Sequence, residues 1–451
     1  MINVQRITSK KTSQTLYHPS LRTSSAPRLF VFSDIGADPD DQQSLIRLLL
    51  HSNDIEIEGL VATASGTPGE LPYAITQPCL IRHIVRAYAS VYPTLALHDP
   101  RYPHPDRLLA CVASGNRHRG HNAIGPKHDT DGSRALIAAL DRNDPRPLHV
   151  ALWGGQTDLA QALWRLHHDR GPEALLASLA RLRIYDIADQ DHLADYIHNT
   201  YPSLFYILSN PPPGADRYRA AFRGMYLGGD ESLTSRAWLE QHVKTGHGAL
   251  GALYPMNTWT APNPHGAMKE CDTPSWFYIL PNGLSDPTHP EWGSWGGRFL
   301  PAALSLFRDA RDTVNGNTSE CATVWRWRPA FQNEFAARLD WCVTDPPAAN
   351  HPPQVIIEPV PQFVSPGTHL ILDASRSSDP DGDSLNFKWW VYPEPSSYPL
   401  PVSLAPAHAP VTELIIPPAP STGSLHVILE VTDSSSPPLT RYARLVFHIC
   451  V

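Results

Sequence analysis

The chain has 451 residues, 42% of them hydrophobic and 18% charged, with a formal net charge of −8; this exceeds one ordinary core and predicts two or three globular domains. The acidic balance, with no cluster of Lys and Arg, excludes a nucleic-acid polymer as partner, and no run of 18 or more apolar residues is present to span a membrane. Six cysteines (Cys79, Cys111, Cys271, Cys321, Cys342 and Cys450) show no CxxC or other metal-ligand spacing, which argues against zinc.

Residues 1–26 hold Arg6, Lys10, Lys11 and Arg22 with no acid and lack the apolar core of a secretory signal. They read as a disordered tail or a basic presequence, with the cytosol as the expected compartment. From 28 to about 210 strand-like and helix-like segments alternate. Strands are expected near 29–33, 57–63, 148–153, 182–187 and 204–208, with helices near 41–51, 74–91, 132–141, 156–168 and 190–200. This alternation predicts an α/β domain with a mostly parallel sheet and helices on both faces, whose ligands sit beyond the carboxyl ends of the strands.

The first strand ends in Asp34-Ile35-Gly36-Ala37-Asp38-Pro39-Asp40-Asp41, four carboxylates at one strand-to-helix turn. Like charges this close repel, so the cluster is costly unless protons or a cation neutralise it. A hard divalent ion with oxygen ligands is the simplest answer. The competing reading is that one Asp caps the helix and the others are solvated turn residues. It accounts for one or two carboxylates better than for four.

The strand at 182–187 leads into Asp186-Ile187-Ala188-Asp189-Gln190-Asp191-His192, which reads equally as a pocket wall contributed by Gln190 and Asp191 or as a helix N-cap run. Long Gly- and Trp-containing loops follow to Gly297, and loops of this length in a compact domain are usually functional or disordered. Trp259, Trp276, Trp292 and Trp295 are costly to leave in water. They read as a wall that stacks a ring or as packing between loop and sheet. His265 and His289 are candidates to protonate a leaving group. Helices are expected near 299–311 and 329–342, closing a domain over 27–345. A Pro-rich linker covers 346–353. Residues 354–451 are short β-like runs between Pro, Gly, Ser and Asp turns, which predicts an all-β immunoglobulin-like sandwich. Asp379, Asp381 and Asp383 read there as a calcium loop or a solvated turn.

Two of these stretches resemble a known family. The run from Asp34 to Asp41 is similar to the Asp-rich N-terminal signature of nucleoside hydrolases, in the divergent form found in cellulose-binding proteins with a nucleoside-hydrolase-like domain. Lys269-Glu270-Cys271-Asp272-Thr273-Pro274-Ser275-Trp276, continuing through Asn282-Gly283-Leu284-Ser285-Asp286-Pro287 to Glu291-Trp292-Gly293-Ser294-Trp295-Gly296-Gly297-Arg298, resembles that subgroup in particular. The likeness spans about residues 28–345, and the C-terminal β-domain resembles polycystic-kidney-disease-type modules.

The resemblance implies Ca2+ held by Asp34, Asp41, Asp272 and the backbone carbonyl of Trp153, with Asp40 removing a proton from the attacking water. The reaction it implies is hydrolysis of a glycosidic, N-ribosidic bond on a small-molecule or carbohydrate substrate. Asp38-Pro39 adds two residues to the family's spacing, which leaves Asp38 as the alternative base. Where the family carries a sugar-contacting Asn, this chain has Ser65 and Thr67. Two other functions stay open: a non-catalytic cellulose-binding protein on a hydrolase fold, and a small-molecule pathway enzyme with a repurposed site. The family type also implies a secreted setting, against the cytosol read from residues 1–26. Oligomeric state is not legible.

Overall fold

The computed structural model describes residues 16–17, 26–212, 214–258 and 267–451. The described residues divide into two compact units, one within 24–352 with 435–440 and the other within 353–434 and 441–451 with Leu16–Tyr17. In chain order the elements are β1 (Leu16–Tyr17), β2 (Arg28–Ser33), α1 (Asp40–Leu50), β3 (Glu56–Ala62), α2 (Pro78–His98), α3 (Pro105–Ala110), β4 (Val112–Ser114), α4 (Asp131–Asp141), β5 (Leu148–Trp153), α5 (Gln156–Asp169), α6 (Pro172–Ala180), β6 (Leu182–Ile187), α7 (Ala194–Thr200), β7 (Phe205–Ser209), β8 (Phe299–Ala303) and β9 (Leu306–Asp309).

The larger unit is built on an eight-stranded sheet of order β4-β3-β2-β5-β6-β7-β9-β8, parallel throughout except for the β8–β9 pair. β2 lies among the central strands and is buried along its whole length, which is why Arg28-Leu-Phe-Val-Phe-Ser reads as a continuous run instead of an alternation. The α/β expectation holds. Phe30, Phe32, Leu152, Leu163, Ile184 and Leu208 belong to the packed core around this sheet. Among the described residues no helix is long and apolar enough to cross a membrane.

α1 departs from the usual amphipathic surface helix. Of its 11 residues only Gln42 is not buried, so Asp40, Asp41, Gln43, Ser44 and Arg47 are enclosed together with Leu45, Ile46, Leu48 and Leu49. A buried polar face needs partners: Pro255 and residues 267–270 bond Gln43, Asp40 and Arg47, while Asp41 is bonded by Ser33.

Three expectations are corrected. Residues 299–311 form no helix but the strands β8 and β9: the Leu- and Ala-rich composition favours a helix locally, and pairing with β7 at the sheet edge overrides it. Pro301 fits there because an outermost strand tolerates a missing N–H. The 1–26 tail contains β1, whose Leu16–Tyr17 pair antiparallel with Val360–Pro361. The Pro-rich linker 346–353 is not extended throughout. Pro346–Ala348 is a 3-10 turn, Asn350 is buried, and its carbonyl accepts the Trp341 indole N–H at 2.8 Å.

The smaller unit stacks a four-stranded sheet (Phe363–Val364, Thr440–Ile449, Gly423–Asp433, Leu385–Val391) on a three-stranded one (His369–Asp373, Val411–Ile415, Ser403–Ala405). Leu372, Trp389, Leu414, Leu429 and Leu445 fill the space between them. Consecutive strand residues face opposite sides, so Trp389 is core while Trp390 is half-buried and bonds Glu430.

Candidate active site

β2 delivers Asp34 at its carboxyl end, and α1 begins six residues later behind Pro39 with no side-chain cap. The capping reading of the four carboxylates therefore does not apply to Asp40 or Asp41. Ser33 donates its hydroxyl to Asp41 at 2.5 Å, fixing the second member of the pair against the end of the strand.

Asp272 comes from far along the chain, and α1 places it. The Gln43 amide donates to the carbonyls of Pro255 and Ala267 and accepts from the backbone N–H groups of Lys269 and Glu270. One turn on, Arg47 forms a two-pronged, fully buried ion pair with Glu270, which also accepts the Tyr254 hydroxyl at 2.6 Å. Buried pairs of this kind hold only with every lone pair served; Arg47 further donates to Gln332 and the Phe331 carbonyl.

Carboxylate oxygens of Asp40, Asp41 and Asp272 consequently converge within 4.8 Å of one another, with all three residues buried. Asp272 Oδ2 is buried without a hydrogen-bond partner. Burial raises the Asp34 pKa to about 7, opposed by Arg119 and reinforced by Asp40. Burial, with Asp272, Asp34 and Asp40 adding repulsion, pushes Asp41 well above the usual carboxylate range. Asp272 is raised in the same way by burial, Asp40 and Asp34. Asp40 is raised by burial against the pull of Lys269.

The Trp153–Gly154 peptide lies beside Asp34: a Cβ on Gly154, which has φ +130°, would sit 2.8 Å from the Asp34 Cβ, so only glycine fits. The Trp153 side chain is anchored by its indole N–H to Ser275, and its carbonyl accepts the Gln190 amide at 3.1 Å. The carbonyl thus faces this end of the sheet. Asp191 accepts from the Thr157 amide and hydroxyl and from Arg119 at 2.8 Å, while Asp189 accepts the N–H of Ala194 at the start of α7. Within the 186–192 run Asp189 thus serves the start of α7, while Gln190 and Asp191 are bonded to Trp153, Thr157 and Arg119.

Ser65 is tied to the Asp34 turn, donating to the Ile35 carbonyl at 2.8 Å. Thr67 is exposed in a turn closed by Glu70 and is not brought to the carboxylates. Trp276 is fully buried against His51 and Phe277, and Trp295 against Phe277 and Phe331, so both serve as core instead of a ring-stacking wall. Trp292 is half-buried and stacks on His289 at 4.0 Å. Trp259 and His265 lie outside the described residues.

Two cations were not singled out from sequence. Lys269, nearly buried, bonds Asp38 and lies 3.1 Å from Asp40. Arg119 reaches Asp191 at 2.8 Å, the Ala64 carbonyl at 2.5 Å and Asp34 at 3.5 Å. Lys269 stood within a stretch already noted, three residues before Asp272, whereas nothing marked Arg119 within Arg117-His118-Arg119. The set suits a hard cation: oxygen donors, an orphaned buried carboxylate oxygen, and carboxyls lifted by burial first and by mutual repulsion second.

A family model described as "Cellulose-binding Sde182, nucleoside hydrolase-like domain" matches residues 28–299, and one for the "Cellulose-binding protein Sde0182, C-terminal domain" matches 369–449. The chain belongs to the Sde182 cellulose-binding family. A solved structure of a nucleoside hydrolase-related hypothetical protein from Saccharophagus degradans, described as associated with carbohydrate metabolism, is 31% identical. It has a TM-score of 0.78, with 94% of this chain and 100% of that chain covered. The effector protein XOO4466 aligns at 12% identity and a TM-score of 0.36 over 71% of this chain and 95% of its own, too distant to carry an argument. No curated protein matches. The acidic turn and Asp272 both fall inside the nucleoside-hydrolase-like match of this Sde182-family chain.

Proposed function

We propose that the larger unit is a calcium-dependent hydrolase of a glycosidic bond in a carbohydrate or nucleoside-like small molecule. The observation that carries this reading is the convergence of Asp40, Asp41 and Asp272 within 4.8 Å in a buried setting, one of their oxygens without a partner. Asp41 and Asp272 of that group, joined by Asp34 and the Trp153 carbonyl as the family resemblance implies, would hold the ion, whose chemistry there is to orient sugar hydroxyls and acidify a water. Asp40 takes the water's proton, because it is the first carboxylate of α1 and its partner Asp41 is committed to Ser33. Lys269 bonds Asp38 and also lies 3.1 Å from Asp40, so Asp38 stays the alternative base. Enclosure of these groups excludes bulk water and strengthens each interaction.

The test is a calcium-supplemented, metal-analysed screen of nucleosides, aryl glycosides and soluble glucans. Turnover lost in Asp40→Asn supports the reading. Saturable cellulose binding with no turnover of any of these would instead assign a carbohydrate-binding protein on a hydrolase fold. That second reading draws on the family's description as cellulose-binding and on the two built-in cations that already neutralise part of the cluster.

A further inference from the structure

Asp34, Asp38, Asp40, Asp41, Asp191 and Asp272 are all buried at one end of the sheet, and Arg119 and Lys269 are bonded to members of this set. The two are set apart. Arg119 serves Asp191 and Asp34, and Lys269 serves Asp38 and Asp40. Between them Asp41 and Asp272 have no basic side chain bonded among the described residues.

Lys269 is not a surface side chain folded inward by chance. Its backbone N–H is bonded to Gln43 Oε1 at 2.9 Å, the same atom accepts the next N–H at 3.1 Å, and the residue is 6% exposed. An ammonium is a compact point charge with three donors. Seated between two carboxylates, it takes the place a second metal ion would take in a centre this acidic.

We propose that Lys269 is a built-in second cation: it fills the seat between Asp38 and Asp40, so the centre accepts a single divalent ion, on the Asp34, Asp41 and Asp272 side. This rests on the reading of that side as a cation site. It gives the two spare residues Asp38-Pro39 a role, since Asp38 is the carboxylate that completes the Lys269 seat. It also keeps one oxygen of Asp40 engaged by Lys269, away from the ion.

The experiment is calcium titration of the full chain by calorimetry, counting ions lost on Asp41→Asn as those of the centre. The wild type is expected to hold one. Lys269→Met is expected to hold a second ion, or to bind the first ~10-fold or more tightly as a nearby positive charge is removed. Lys269→Arg, which keeps the charge, should bind one ion. Lys269→Met/Asp38→Asn removes the occupant and one wall of the seat; with Asp40 the lone carboxylate left there, it should return to one. Lys269→Met with unchanged stoichiometry and affinity overturns the proposal while the cation site stands. No Asp41-dependent calcium in the wild type or any of these variants sinks the site and the proposal together.

Discussion

Asp34→Asn separates a cation ligand from a structural carboxylate, because the two roles predict opposite signs in the absence of metal. Burial and Asp40 raise Asp34 from the ordinary 3.8 to about 7, roughly three pH units, and each unit corresponds to about 1.4 kcal/mol. Ionising Asp34 in the metal-free protein at pH 8 therefore costs on the order of 4 kcal/mol at most, which an isosteric amide avoids. Arg119 keeps its 2.8 Å bond to Asp191 in the variant. Asp34→Asn is expected to be as stable as the wild type, or more stable by up to that amount, in chelator at pH 8. Saturating calcium stabilises the wild type by about 2.7 kcal/mol at 100 times the Kd, and that gain should vanish in the variant. The assay is urea unfolding followed by tryptophan fluorescence, with chelator and with calcium. A variant that is weaker than wild type in chelator, yet keeps the full calcium gain, would show that Asp34 merely partners Arg119.

Metal-free stability should fall from pH 5 to pH 8. Asp34 and Asp309 are raised to about 7 and Asp158 to about 6, chiefly by burial, so the folded chain retains protons that the unfolded chain releases from 3.8 upward. Of these three groups only Asp34 is a ligand, so calcium should offset its share and not those of Asp309 and Asp158, making its stabilising increment larger at pH 8 than at pH 5; an increment that shrinks with pH contradicts the ligand set. Asp40→Asn is expected to lower turnover by ~100-fold or more with calcium binding reduced less than in Asp41→Asn, measured on whichever substrate the screen yields. If turnover survives in Asp40→Asn and is abolished in Asp38→Asn, the base is Asp38. Arg47→Met leaves Glu270 charged and buried, which costs about 3–5 kcal/mol. Since that pair braces the loop carrying Asp272, calcium affinity should fall with stability; a calorimetric affinity equal to wild type would detach the brace from the site.

The acidic turn was legible in the chain because four carboxylates behind an apolar strand have few bland explanations, and the sheet because its strands are continuous apolar runs between helical segments. The motif around Lys269 and Asp272 was legible as a resemblance. What the sequence did not convey is which carboxylates meet. Asp272 joins Asp40 and Asp41 across more than 230 positions only because Gln43 and Arg47, on the enclosed face of α1, bind the backbone and Glu270 of its loop. The same applies to Lys269, Arg119 and Trp276. A side chain's type shows that it can pair with a carboxylate or pack in a core, while its actual partner depends on neighbours brought from elsewhere in the chain. The residues 299–311 show the same limit in backbone form: local composition favoured a helix, and hydrogen bonding along β7 made them the edge of the sheet. Composition and periodicity act over a few residues, so they determined the elements and the charge cluster. Burial and long-range pairing are properties of the packed chain, and they decided the site.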